Sequence, residues 1–503
     1  MSPSLQEEYL PAYEESTPPE YGETDIELGS GYKKFPQDLK EPVPSYDFNE
    51  SFRLDHPKWN DLPFVFVFLV SVVCFCGVFT YSTNNITVPT LHVNESQSQL
   101  MLIVAITAVA ATYAGILLLK ARPTAFIRAG FIMNIFMALG FSYGAFTNNS
   151  FWTGVFFGFV ALIHLLWLID IRRRAAFSAL ILKTVVEVAQ RNPSTWKISF
   201  AGSVAAFVFS LLSLAALYGT LENWGPDDSG VVKDKASLVI VGSLLMFTSA
   251  YIAEVMKSVL HSTVAGIYGS WYYLSQADQC PRNSGSASFK RTITYSLGSV
   301  CFGSLIVTVI QTLNNLAALG KHWAAQEGGL AGYIGFYILE MVISVFEAMV
   351  RWINEYAYSL VALYGLDFLH AARGAFYVVE QKGLTAIVND CLINTALGVY
   401  SLFVAYACAL VSLVFVCVTE PAWAQNAEGA LDVNATLIMI LFAAAAFGFF
   451  VANTATSVIH SGTITFFITL AKNPEVFKVT HPEQYAQILE SYPDVQNKLE
   501  TDF

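Results

Sequence analysis

Long uncharged apolar runs recur along the chain from about residue 63 onward, and short charged segments separate them. A helix needs about twenty apolar residues to cross the hydrocarbon core of a bilayer, and ten runs have about this length. They predict spanning helices at Pro63–Tyr81, Gln99–Leu119, Ala125–Phe146, Trp152–Ile169, Ile198–Tyr218, Ser237–Met256, Thr292–Leu316, Leu330–Val350, Cys391–Val418 and Asn434–Ser457. The pattern therefore predicts an all-α fold, a polytopic transmembrane helical bundle of about ten spanning helices.

Three further apolar segments are ambiguous. Ser258 to Gln276 follows the sixth predicted helix so closely that it is its continuation, a re-entrant piece or an interfacial segment. Ala175–Arg191 and Phe368–Lys382 have apolar residues at helical spacing beside basic ones. This pattern is typical both of a helix on the inner leaflet and of a helix packed against the cytoplasmic face of a bundle.

Composition supports the membrane assignment and divides the chain. The hydrophobic fraction is 54% and the charged fraction only 13%, about half of the share in an ordinary soluble domain. Residues 1–58 are rich in Pro, Glu, Tyr and Ser and are predicted to be a disordered acidic cytoplasmic tail. The transmembrane domain is assigned to residues 59–471 and a cytoplasmic C-terminal tail to residues 472–503. Because the first sixty residues hold thirteen Asp/Glu against five Lys/Arg, the acidity belongs mainly to this tail, and no nucleic-acid partner is expected.

The charges of the loops predict the orientation. With the N-terminus in the cytoplasm, the outside loops hold only Lys233, Lys235 and Lys321, and the other Lys and Arg residues lie inside, as positive-inside topology requires. The glycosylation sequons at Asn85 and Asn94 then fall in an outside loop. A multi-pass protein with both termini in the cytoplasm follows, and these two asparagines are the predicted glycan sites.

Motifs for enzyme chemistry do not occur in the sequence. It has no H-E-x-x-H, G-x-S-x-G or Walker loop and no clustered Cys/His set, and its seven cysteines are scattered. We therefore expect no catalytic residue, no metal site and no cofactor. A carrier or channel is favoured by elimination, and a gradient rather than ATP would drive transport.

Three acidic residues fall within predicted spans, where ionisable groups are costly and tend to line pathways. Glu254 lies beside Lys257, so an interfacial ion pair is the alternative to a pathway residue. Glu340 and Glu347 are seven residues apart and hence on one helix face. They predict a polar seam, which is either structural packing or part of a pathway.

Aromatic residues form two clusters at the ends of predicted helices. The first is Tyr268, Trp271, Tyr272 and Tyr273, and the second is Trp352, Tyr356, Tyr358 and Tyr364. Such residues usually form belts at the membrane interface. The alternative is a cation–π cage for a quaternary ammonium group, which needs several rings around one point.

The N-terminal tail carries Pro18-Pro19-Glu20-Tyr21, a P-P-x-Y motif. Proline fixes an extended conformation that the aromatic grooves of WW domains bind at low entropic cost. The motif predicts capture by a WW-domain ubiquitin ligase adaptor through Pro18, Pro19 and Tyr21.

Five strings together resemble the choline transporter-like proteins, and specifically their fungal branch. They are Lys58–Phe64 (KWNDLPF), Val264–Gly266 with Trp271–Tyr273, Leu297–Ile306 (LGSVCFGSLI), Asn354–Tyr358 with Ala362–Gly365, and Ala471–Glu475 (AKNPE). All five occur in the expected order between the predicted helices.

The resemblance implies a solute carrier in the plasma membrane that performs facilitated, alternating-access transport of choline or a related cationic amine. It puts the cage interpretation level with the belt interpretation, and Trp271, Tyr272, Tyr356, Tyr358 and Tyr364 become substrate-binding candidates. Glu254, Glu340 and Glu347 join them as ionisable candidates. The expected partners are membrane lipids, the amine and the WW-domain ligase. The alternative function is a non-transporting scaffold or stress-related protein that recruits partners through its tail.

Overall fold

The computed structural model describes residues 59–84, 95–147, 151–225, 233–274, 283–326, 329–381, 393–419, 421 and 435–491. Helices account for nearly all of these residues, and none of them lies in a strand. The helices are α1 (Leu62–Thr83), α2 (Glu95–Ala121), α3 (Pro123–Thr147), α4 (Phe151–Arg191), α5 (Pro193–Trp224), α6 (Lys235–Leu274), α7 (Ser284–Thr294), α8 (Leu297–Gln326), α9 (Leu330–Tyr364), α10 (Phe368–Gln381), α11 (Ile393–Thr419), α12 (Ala435–Lys472), α13 (Pro474–Thr480) and α14 (Pro482–Ser491). The predicted tail motif at Pro18, Pro19 and Tyr21 and the sequons at Asn85 and Asn94 lie outside the described residues.

Nine helices in the described part of the chain are long and apolar enough to cross a membrane, which confirms the polytopic helical bundle. The prediction from sequence was about ten. The difference is the predicted fourth span, which lies in the 41-residue helix α4. Its apolar stretch among the described residues is only Gly154–Ile163.

Helix α6 accounts for the ambiguous segment after the sixth predicted span. It runs unbroken from Lys235 to Leu274, so Ser258 and the residues that follow continue the spanning helix up to Leu274. Forty residues of α-helix measure about 60 Å, twice the hydrocarbon thickness of about 30 Å. Val239 and Ile240 in its first half are exposed, whereas Val264 and Tyr272 in its second half are buried.

The predicted seventh helix begins later than its apolar run. The short helix α7 ends at Thr294, and α8 begins at Leu297. The predicted start at Thr292 is therefore wrong. The predicted eighth helix is intact, and it continues past Val350 to Tyr364 as α9.

The chain divides into two compact units. Unit 1 comprises Met1–Val88, Lys197–Lys382 and Ile464–Val476, and unit 2 comprises Pro89–Trp196, Gly383–Thr463 and Phe477–Phe503. One core cluster of unit 1 joins α1, α5 and α6 through Phe75, Val78, Ala216, Leu245 and Ile252. A core cluster of unit 2 joins α2, α11 and α12 through Leu100, Val104, Val404, Cys408 and Ala444.

The amphipathic segment before Arg191 belongs to the interior of unit 2. It forms the end of α4, where Ile181, Leu182 and Val185 are buried. The C-terminal helix α14 packs against α4 and buries Tyr485 and Ile488. The contacts favour a helix packed on protein over a helix lying on the inner leaflet.

Candidate functional site

An ion-pair node joins three helices of unit 1. Arg351 of α9 donates from Nη1 to Glu254 of α6 at 3.0 Å and from Nε to Glu347 at 3.0 Å. Its Nη2 donates to Gln311 Oε1 of α8 at 3.3 Å. Because α6, α8 and α9 pack against one another, one guanidinium group connects all three helices.

The node continues as a polar seam between the antiparallel helices α8 and α9. Asn314 Nδ2 donates to Glu347 Oε2 at 3.1 Å and to Ser344 Oγ at 3.1 Å. One step of seven residues further along both helices, Lys321 forms an ion pair with Glu340 at 2.5 Å. Glu340 and Glu347 thus both face α8, which is the shared face that their spacing predicts.

The charges of the node and seam do not cancel. Glu254, Glu340 and Glu347 supply three negative charges when ionised, while Lys321 and Arg351 supply two positive ones. Glu340 pairs with its own lysine, whereas Glu254 and Glu347 share Arg351. With both carboxylates ionised, the Arg351 node has one more negative than positive charge.

Tyr358 lies next to the node on the same face of α9, seven residues after Arg351. Its hydroxyl group is 3.2 Å from Ser304 Oγ, which donates to Ser258 Oγ at 3.0 Å. Gly303 permits this packing, since an added Cβ there would lie 2.6 Å from the Tyr358 hydroxyl oxygen. Tyr358 is thus a buried aromatic residue in the layer next to the Arg351 node.

His261 continues the polar layers one turn beyond Ser258 on α6. Its Nε2 lies 2.8 Å from the Glu355 carbonyl oxygen and 3.3 Å from Ser359 Oγ. Ser359 Oγ is in turn 3.3 Å from Thr465 Oγ1 of α12. These contacts are those of a hydrogen-bonded interior histidine, and they bring α12 into the site.

Tyrosines and one asparagine form the last layer. Tyr273 and Tyr364 place their hydroxyl oxygens 2.6 Å apart, and Tyr273 donates to Asn473 Oδ1 at 2.9 Å. Tyr272 donates to the Asn473 carbonyl oxygen at 2.9 Å. The Lys472 ammonium lies 4.4 Å from the centroid of the Tyr364 ring, within the cation–π range of about 6 Å.

These four layers form what we call the polar column of unit 1. Along α6 it extends from Glu254 to Tyr273, which is about 28 Å of helix at 1.5 Å per residue. Within the described chain, no group of three or more His, Cys, Asp or Glu side chains could hold a metal ion. The column offers carboxylate, hydroxyl and aromatic groups.

Burial distinguishes the two interpretations of the aromatic clusters. A membrane-interface belt requires rings that face lipid, but the five candidate rings are only 1 to 7% exposed: Trp271, Tyr272, Tyr356, Tyr358 and Tyr364. They do not converge on one point. Tyr358 lies beside the Arg351 node, whereas Tyr272 and Tyr364 lie in the layer that contains Asn473. The ring centroids of Tyr356 and Trp352 are 5.2 Å apart, and those of Trp271 and Tyr272 are 6.4 Å apart.

A second polar contact holds the start of α1 against the neighbouring helices. Asp61 accepts hydrogen bonds from Ser299 Oγ at 2.7 Å and from the Phe368 amide at 2.8 Å. Asn60 Nδ2 donates to the Gly365 carbonyl oxygen at 2.7 Å. The carboxylate thus lies at the N-termini of α1, α8 and α10, whose positive dipole ends stabilise it.

Sequence reasoning missed several residues of the column. Ser258, Ser304 and Gln311 lie in apolar runs and resemble ordinary packing positions, and Asn473 follows the last apolar run. One signal was available: Gly303, Ser304, Tyr358, Tyr364 and Asn473 all lie in the five family-like strings. The structure brings these strings into contact within unit 1.

Comparison with known proteins supports the family resemblance that the five strings indicate. The family model described as plasma-membrane choline transporter matches residues 155–475. The chain is 35% identical over 482 residues to Protein PNS1 of Debaryomyces hansenii, covering 92% of this chain and 93% of the relative. It is 33% identical to Protein PNS1 of Candida albicans, over 92% of each chain. For Protein PNS1 of Saccharomyces cerevisiae the identity is 33%, over 91% of this chain and 88% of the relative.

Proposed function

Because the chain belongs to the plasma-membrane choline transporter family, we propose that it is a carrier for choline or a related small cationic amine. The amine crosses through the polar column of unit 1 by facilitated, alternating-access transport, in which a central site opens to each side of the membrane in turn. The substrate class and the route are our inference, and the Arg351 node is the observation that carries them.

The node has the chemistry that an organic cation needs on leaving water. Glu254 and Glu347 share one guanidinium group, so a bound ammonium group would neutralise the remaining negative charge. A methylated ammonium forms few hydrogen bonds and is stabilised instead by carboxylates and aromatic faces. Tyr358 provides such a ring beside the node, which supports a choline-like ligand over a metal ion.

Transport and binding measurements test the proposal directly. Purified protein in liposomes should take up radiolabelled choline or ethanolamine, and the amine should raise the unfolding temperature because it binds only the folded state. Glu254→Gln and Glu347→Gln should each weaken uptake by about tenfold or more, since each removes a charge worth at least 1.4 kcal/mol at such a site. Glu490→Gln, on the exposed face of α14, is the control and should behave as the wild type.

The outcome that overturns the proposal is specific. If the wild-type protein neither binds nor moves choline, ethanolamine or other cationic amines, the substrate assignment fails, while the family and fold assignments stand. If uptake persists undiminished in Glu254→Gln, Glu347→Gln and the double variant, the amine does not pass through the Arg351 node.

We further propose that the N-terminal tail controls turnover rather than transport. Its P-P-x-Y motif suits a WW-domain ubiquitin ligase adaptor. Tyr21→Ala should lengthen the cellular half-life and leave amine uptake unchanged. After removal of residues 1–50 a carrier should keep its amine flux, whereas a non-transporting scaffold that acts through its tail should lose its role.

We also propose that the protein resides in the plasma membrane with glycans at Asn85 and Asn94. Glycosidase treatment should increase its electrophoretic mobility, and Asn85→Gln with Asn94→Gln should abolish that change. A change that persists in the double variant would assign the glycan to another sequon.

A further inference from the structure

A cation of the protein itself occupies the aromatic end of the polar column. Lys472 is the last residue of α12, and its ammonium nitrogen lies 4.4 Å from the Tyr364 ring centroid. The ring is 7% exposed. A ligand ammonium could therefore reach this ring face only in place of Lys472.

The ring and the lysine are held by the same short segment. Asn473, the next residue after Lys472, accepts from the Tyr273 hydroxyl at 2.9 Å and from the Tyr364 hydroxyl at 3.4 Å. Its carbonyl oxygen accepts from Tyr272 at 2.9 Å. The hydrogen bonds of Asn473 thus fix both the ring and the backbone from which the lysine extends. This arrangement presents an alkylammonium group to an aromatic face.

We propose that Lys472 is a built-in competing ligand, which occupies the Tyr364 face when no amine is bound and leaves it when a substrate amine arrives. The proposal rests on the proposed function, because it assigns the regulation of the same column. An alkylammonium group and a substrate amine make the same cation–π interaction with the ring. Two cations cannot occupy one face together.

Tethering determines the expected sign of the effect. A ligand attached to the site by a short chain competes at a high effective concentration. The affinity for a free amine is then lowered by the fraction of time for which the lysine occupies the ring. Removal of the ammonium group should therefore tighten amine binding, whereas removal of a residue that supports the site should weaken it.

Binding measurements on the full-length protein distinguish these cases. We expect Lys472→Met and Lys472→Gln to bind choline and tetramethylammonium several-fold more tightly than the wild type. Lys472→Arg keeps a cation over the ring and should retain wild-type affinity. Equal or weaker binding in Lys472→Met overturns the proposal.

The wild-type protein provides a second readout that needs no variant. Acetylation of Lys472 by a small acylating reagent, followed by mass spectrometry, should be slow without ligand and faster at saturating choline. A rate that choline does not change overturns the displacement. If no amine of the panel binds the wild type or any variant, the proposed function and this inference fail together. Binding without tightening in Lys472→Met refutes this inference alone.

Discussion

Loss of the Arg351 side chain should destabilise unit 1, because Arg351 forms ion pairs with both Glu254 and Glu347. Breaking a buried pair by removing one partner costs about 3–5 kcal/mol. Arg351 is 27% exposed, so we expect Arg351→Met to lower the free energy of unfolding by about 3 kcal/mol or less. Thermal unfolding in detergent measures the change.

The matched control neutralises all three side chains. In Arg351→Met combined with Glu254→Gln and Glu347→Gln, no uncompensated charge remains, and part of the lost stability should return. If the triple variant is less stable than Arg351→Met alone, the cost arises from lost packing or hydrogen bonds rather than from charge.

His481 offers a pH-dependent test in unit 2. Burial and, to a smaller extent, the positive charge of Arg191 together lower the pKa of His481 to about 4. Since the ordinary pKa is about 6.5, the undocked C-terminal segment gains a proton as the pH falls below 6.5, while the docked segment gains one only near pH 4. Stability is therefore fully present above pH 6.5 and is lost as the pH falls towards 4.

His481→Gln is the variant that isolates this titration. The wild type should lose α14 docking between pH 6.5 and pH 4, and the variant, which stays neutral, should lose markedly less. The rate at which a protease cleaves the segment that carries α14 reports the docking, as does the distance between a fluorescent pair on α4 and α14. An identical pH profile for both proteins would show that another group governs the docking.

Residue-level prediction from the sequence succeeded where spacing alone decides the geometry. Glu340 and Glu347 share a face because seven residues make two helical turns, and both contact α8. The count of basic residues in the loops assigns Arg351 to the cytoplasmic charges. Only the packing of α9 against α6 and α8 reveals that its guanidinium group lies inside the unit.

At the scale of helices, Asp61 determines how α1 begins. It adopts a left-handed backbone conformation with a φ of 56°, and its carboxylate accepts from Ser299 and from the Phe368 amide. Asparagine tolerates this conformation and keeps an acceptor oxygen, whereas alanine strains the backbone and removes the acceptor. We expect Asp61→Ala to cost about 2 kcal/mol and Asp61→Asn about 1 kcal/mol.

Unfolding measurements on further variants separate the backbone strain from the loss of the acceptor carboxylate. Asp61→Gly removes the carboxylate without straining the backbone, so its stability should fall between those of the other two variants. Ser299→Ala, which removes one donor only, should cost less than Asp61→Ala. Equal stability of Asp61→Ala and the wild type would rule out a role for this residue in holding α1 against α8 and α10.

The length of α6 shows that an apolar run alone does not tell whether a helix segment lies in lipid or in protein. The described part of the run that begins at Ser258, which ends at Leu274, is as apolar as a span because most of it is buried in protein, and burial in protein and in lipid select the same side chains. Gly266 and Gly269 in this run lie within an unbroken helix, where an added Cβ would collide with Ser288 or Leu363.

At the scale of the whole molecule, the sequence predicted the class of fold but not the column. Periodicity and hydrophobicity act locally, so they located most helix starts to within a few residues, but five of the ten helices continue for ten or more residues past the predicted end. The column depends on contacts between residues that are far apart in sequence, such as Glu254 with Arg351, Ser304 with Tyr358 and Tyr273 with Asn473. Its members became recognisable only where they coincided with family-like strings.

The orientation of the chain is a prediction for the whole molecule, and labelling from one side of the membrane checks it. The ten predicted spans, with the one in α4 included, place the loop between α5 and α6 outside, where Lys233 and Lys235 are its only basic residues, and place α7 inside. Ser229→Cys should react with a membrane-impermeant maleimide in intact cells. Ser286→Cys, on the exposed face of α7, should react only after permeabilisation. The wild-type chain measures the background from its native cysteines, and the reverse pattern would invert the topology and place the Lys472 end of the polar column outside the cell.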